Sequence, residues 1–164
     1  MHATILRSSV WSEMLEAQMR ASYFGELVNH YNNLDRALRV FTLAASSGAV
    51  AAALAEMHPA AKIGFPIAAT VASFWLLFSN YSAMSRDAAD LHAGWERTKA
   101  EYEHLFNHLD GPEAAAELRR ITSAAEPLSK SGTKFPARRR RLIHWMDHAA
   151  AAAMARYSRT EAAR

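Results

Sequence analysis

Between residues 12 and 38 apolar side chains return at every third or fourth position, as Leu15, Met19, Tyr23, Leu27, Tyr31, Leu34 and Leu38. That spacing is the period of one face of an α-helix. Ser12, ahead of Glu13 and Glu16, reads as its cap and acidic first turn. The period then dissolves, because residues 40–55 and 63–85 carry no charged side chain at all. Helices that are apolar on every side are buried, in protein or in lipid. From Met84 onward the period resumes through Ala88, Leu91, Trp95, Thr98, Tyr102, Leu105 and Leu109, alternating steps of four and three as a heptad seam does, until Asp110-Gly111-Pro112 makes a turn.

The predicted fold is therefore all-α. The segments 12–38 and 84–109 would each reach roughly 40 Å as helices at ~1.5 Å per residue, and two apolar segments lie between them. This layout predicts a two-helix transmembrane hairpin continuous with a long antiparallel cytoplasmic helical stalk, followed by C-terminal helices. The predicted divisions are an amphipathic helix over 1–39 and a hairpin over 40–82, with spans at about 40–56 and 63–82. Residues 83–126 hold the heptad helix and a short helix beginning near Pro112, and 127–164 a basic linker and a last helix. The second apolar segment is long enough to cross a bilayer. The first is shorter than the ~20 residues usually required and rich in alanine. A buried helical pair inside a helical bundle accounts for the same pattern without lipid.

Composition changes this picture only through its distribution. Of 164 residues 51% are hydrophobic, close to the globular norm, so the argument rests on where they cluster. There is no cysteine, which excludes disulfides, thiolate metal sites and a cysteine nucleophile. The net charge of +3 arises largely from Lys130, Lys134 and the run Arg138, Arg139, Arg140 and Arg141. Such a run suits an anionic surface, above all lipid, with nucleic acid a lesser candidate and a plain solvated charge cluster an equal one. Arg36, Arg39 and Arg86 flank the apolar segments on the terminal side and Lys62 stands alone between them, so the positive-inside rule puts both termini in the cytoplasm. The opening residues lack the short apolar stretch and cleavage site of a removable signal.

Within the apolar segments Thr42, Ser46, Ser47, Gly48, Thr70 and Ser73 offer small or hydroxyl-bearing surfaces. They suit close helix packing, or the lining of a pore once several hairpins assemble. Leu27, Tyr31, Leu91, Trp95 and Tyr102 mark the stalk seams, available for self-association. His104 and His108, with Glu101 a turn earlier, and His144 and His148 beside Asp147 have i,i+4 spacing, which alone is weak evidence for a metal; none is assigned, nor any cofactor. No nucleophile elbow, phosphate-cradling glycine loop or paired-carboxylate constellation appears, so a non-enzyme is expected.

The sequence Asn32-Asn-Leu-Asp-Arg-Ala-Leu-Arg39, the apolar pair, and then Ser85-Arg-Asp-Ala-Ala-Asp-Leu-His-Ala-Gly-Trp-Glu-Arg97 resemble the SLATT-type two-transmembrane proteins. In these the second span is followed by a helix with a His and a Trp near its start, here His92 and Trp95. The likeness covers roughly residues 12–110. It implies a bacterial conflict-system effector of the inner membrane that oligomerises and permeabilises or depolarises the bilayer when a sensor or signalling partner triggers it. Two other readings fit the chain: a membrane-anchored adaptor that conducts nothing, and a helical-bundle component of a larger assembly.

Overall fold

Nothing in residues 2–11 stops a helix, and the computed structural model accordingly shows α1 running unbroken over His2–Ser46. Residues 2–46, 59–109, 111, 113–136 and 139–162 are described. The expected cap at Ser12 is not used as one. Its hydroxyl donates to the carbonyl of Ser9 at 2.9 Å, because the helix has already begun ten residues earlier and Ser12 falls in its interior. Four more helices follow: α2, Pro59–Ser79; α3, Tyr81–Asn107; α4, Ala114–Gly132; and α5, Arg139–Ala162. No strand occurs among the described residues.

The chain divides into two compact units, Met1–Glu26 with Ala88–Arg164, and Leu27–Asp87. In the first unit α1 and α3 lie antiparallel: Trp11 meets the ring of Phe106 at 5.5 Å, and His92 donates from Nδ1 to the carbonyl of Ala21 at 2.8 Å. Of the heptad seam predicted over 84–109, Ala88, Leu91, Trp95, Thr98, Tyr102 and Leu105 are buried, while Met84 and Leu109 are half-buried. Opposite them α1 buries Val10, Met14, Ala17 and Ala21, and α4 adds Ala114, Ile121 and Ala125. Gly94 permits close approach of α3 and α4, since a Cβ there would lie 2.6 Å from Cδ2 of Leu128. α5 joins through Trp145, whose Nε1 donates to Glu26 at 2.8 Å, and through Ala149 and Ala153, both buried.

The segment 127–136, expected to be a linker, is helical as far as Gly132. Pro127 breaks helices when propensity alone decides, but its neighbours are held by other elements. Leu128 fits against Gly94, and Ser129 accepts from Nη1 of Arg20 at 2.8 Å. Phe135, just beyond the helix, packs edge-on to Phe24 at 5.7 Å.

In the second unit the distal half of α1 and the start of α3 are also antiparallel. Ser85 donates to Oδ1 of Asn32 at 2.7 Å, and Tyr31 stacks on Tyr81 at 6.1 Å. Asn80 separates α2 from α3 with a φ of 44°, the left-handed region that Asn tolerates better than most residues. Its carbonyl accepts from the amides of Ala83 and Met84 at 3.0 and 3.1 Å, closing the first turn of α3.

The transmembrane hairpin is not supported, and residues 47–56 of its first expected span lie outside the described residues. Among the described residues no helix is long and apolar enough to cross a membrane. The uncharged part of α1 begins only after Arg39, and its described portion ends at Ser46. α2 intersperses Lys62, Gly64, Pro66, Thr70 and Ser73 among its apolar positions. The placement as an integral protein of a bacterial inner membrane with both termini cytoplasmic is overturned by this finding. Apolar runs report a need for burial, and a protein surface meets that need as well as lipid does.

Candidate functional site

Exposed apolar side chains occur on α1 (Val40, Leu43) and on α5 (Ile143, Met146, Met154). Two further features of the described residues, one in each unit, combine several side chains. The first is a stripe on α2. Ile67, Val71, Phe74 and Phe78 recur at steps of four, three and four, the spacing of a helix–helix seam, and all four are exposed, Phe78 to 83%. Trp75 beside them is also exposed, with its Nε1 donating to the hydroxyl of Tyr81 at 2.8 Å. Together these side chains present on the order of 600 Å², the upper end of what a monomer leaves bare.

The second is a cleft of about 220 Å³ in the first unit, where α1, α3 and α4 meet. α1 contributes Glu13, Glu16 and Arg20, α3 contributes Trp95 and Tyr102, and α4 contributes Glu126. Arg20 pairs with Glu16 one turn before it and lays its guanidinium over the Trp95 ring, Cζ 4.6 Å from the centroid. Glu126 pairs with Lys130 at 2.7 Å. Tyr102, only 1% exposed, places its hydroxyl 3.1 Å from Oγ1 of Thr122; burial pushes this phenol above its ordinary range.

Glu13 makes none of the salt bridges among the described residues. Burial and then the adjacent Glu16 carboxylate hold its carboxyl above the ordinary 4.5, with Arg20 and the Tyr102 hydroxyl acting weakly the other way. Trp95 is 4% exposed and its indole N–H, wholly buried, has no acceptor. A buried donor left unmade costs stability.

The Glu13 shift has a consequence for stability. A carboxyl with a raised folded pKa binds its proton more readily in the folded chain than in the unfolded one. Its favourable contribution is present below the unfolded pKa and lost as pH rises through the folded pKa. The groups facing it are Glu16 and Arg20 from α1, Tyr102 from α3 and Glu126 from α4. Glu13→Gln is expected to melt at or above the wild-type temperature at neutral pH, and the gap should close as pH falls through the raised folded pKa toward 4.5. Thermal melts across that range measure it.

The residues singled out in the sequence fare differently. Leu27, Tyr31, Leu91, Trp95 and Tyr102 are all buried within one copy of the chain, so their apolar surface is already spent on the chain's own helices. Thr42, Thr70 and Ser73 donate to the carbonyls of Leu38, Pro66 and Ala69, each four residues back, at 2.8–2.9 Å, a local bond that links no second helix. Ser46 ends α1, and Ser47 and Gly48 lie outside the described residues. Arg139, Arg140 and Arg141 open α5, while Arg138 is outside the described residues. The imidazoles of His104 and His108 stack at 4.4 Å, and those of His144 and His148 meet at 4.6 Å. Among the described residues no group of three or more His, Asp or Glu is placed to hold a metal. His92 serves the packing of α3 on α1 through its bond to Ala21. The stripe was visible as the uncharged run 63–85. The cleft was not, since its carboxylates and Trp95 lie far apart in the sequence.

Comparison with known proteins finds no match: no protein-family model, no curated protein and no solved structure is similar to this chain. Among its described residues the protein is all-helical, with an exposed apolar stripe on α2 and an acidic, tryptophan-lined cleft.

Proposed function

We propose that this chain is a non-enzymatic helical scaffold, a component of a larger assembly built from copies of itself. The observation that carries this reading is the exposed stripe Ile67, Val71, Phe74 and Phe78. Residues 63–85 contain no charge, so two identical stripes meet without like-charge repulsion, and nothing on them calls for an oppositely charged partner. A face that is apolar and uncharged along its length is self-complementary, as a two-fold interface requires. Paired with a second copy, it would bury about 1,200 Å² in total, the lower bound of a stable specific interface. A single copy leaves that area in water at a cost in solubility.

The test is the mass of the full chain in solution, purified without detergent and measured by light scattering over the micromolar range. A multiple of the single-chain mass, shifting toward one copy on dilution, is the expected result. A single-copy mass at every concentration, or recovery only in the membrane fraction, would overturn the proposal.

A further inference from the structure

Nine of the 19 basic residues but only two of the 16 acidic ones lie in residues 130–164. That stretch carries a net +7, while residues 1–129 carry −4. Arg138, Arg139, Arg140 and Arg141 are consecutive within it, and the last three open α5. α5 spends one side on the chain itself, where Trp145 donates to Glu26 and Ala149 and Ala153 are buried. A second side is not spent. Ile143, Met146 and Met154 are exposed, Met154 to 65%, and at about 100° per residue they fall within an arc of about 80°. Asp147, exposed at the edge of that arc, is the only acid on the helix before Glu161.

A second copy laid on this face would bring two segments of the same strong charge together, and their repulsion opposes it. Nucleic acid accounts for the arginines but gives the exposed Ile143 and Met146 nothing to bury against. An anionic lipid surface uses both features: its headgroups take the charge, and the acyl boundary beneath them takes the apolar side chains of a helix lying in the interface plane. A helix lying on a surface needs no spanning length, which suits a chain whose described residues include no helix able to cross a membrane. We infer that α5 is a peripheral docking helix for an anionic membrane surface, held by the arginine run that opens it and by shallow insertion of Ile143, Met146 and Met154. The contact is reversible and released by salt. It rests on α5 in the first unit and the self-assembly reading on α2 in the second, so either can fail without the other.

Flotation of the full chain with phosphatidylcholine vesicles, with and without roughly one-third phosphatidylserine, is the test. Binding is expected only to the anionic vesicles at about 0.1 M salt, and should be lost at about 1 M, where charges are screened beyond ~3 Å. Each basic residue near such a surface contributes about fivefold in partition, so Arg139→Gln combined with Arg140→Gln should weaken binding about 25-fold. Asp147→Asn should strengthen it about fivefold for the same reason. Ile143→Ser combined with Met146→Ser should weaken it about tenfold or more with an unchanged melting temperature. Met154→Ser, at the most exposed of the three positions, should act in the same direction and serves where the pair melts early. Phe78→Asp, on the α2 stripe, should still bind. No flotation with anionic vesicles, equal flotation with neutral ones, or binding undiminished by the serine substitutions would each overturn the inference. Saturable binding of a single-stranded RNA by a chain that ignores anionic vesicles would assign the arginines to nucleic acid instead. A lighter mass for Ile143→Ser with Met146→Ser than for the wild type, by light scattering, would assign the face to a second copy and overturn the inference as well.

Discussion

Phe78→Asp should break the chain's self-association while leaving its fold intact. Phe78 is the most exposed large apolar side chain described, so replacing it removes almost no packing within one copy, and surface changes of this kind alter folding stability little. In the proposed interface the same substitution puts a carboxylate into the apolar seam, opposite its own counterpart in the second copy. An apolar anchor is then lost and a charge must be desolvated at the same point. Central interface residues of this type contribute about 2 kcal/mol or more, equivalent to about 30-fold in association. Light scattering at a fixed micromolar concentration should show assembly for the wild type and a single copy for the variant, with matching thermal melts. A variant that assembles as well as the wild type would rule out the α2 stripe as the contact.

Ile121→Ala should do the reverse, weakening the fold while leaving the stripe untouched. Ile121 is 1% exposed on the inward face of α4, with Ala114 a heptad before it and Ala125 one turn after. Alanine removes three carbons from a site whose small neighbours cannot move in to fill the space. Substitutions of this kind cost about 3 kcal/mol, a large share of a total stability of roughly 5–15 kcal/mol. In urea the expected outcome is a lower midpoint with an unchanged slope. An unchanged midpoint would mean that α4 does not pack as described. By contrast, the Arg120 pairs with Glu101 and Glu117 sit on the surface, where such bonds contribute little.

Together the two substitutions separate what the apolar residues of this chain are for. The α3 seam and Ile121 are covered by the chain itself, whereas the α2 stripe is covered by nothing within the described residues. Hydropathy scores both alike. That is why the uncharged segments could be read as a membrane hairpin, although among the described residues no helix is long and apolar enough to cross a membrane.

The helical class, the antiparallel pairing of the segments 12–38 and 84–109, and the buried face of α3 were legible in the sequence. A period of three and four is written in the order of neighbouring residues, and helix geometry converts it directly into a face. Three things were decided only by tertiary structure. The start of α1 at His2, which the local sequence permits, is held by Trp11 against Phe106 and by the burial of Val10, and α4 continues through Pro127 because Leu128 and Ser129 are held from outside it. The cleft joins Glu13, Trp95 and Glu126, whose spacings along the chain carry no period. Contacts at such separations depend on where whole helices lie, and local residue order holds no record of that.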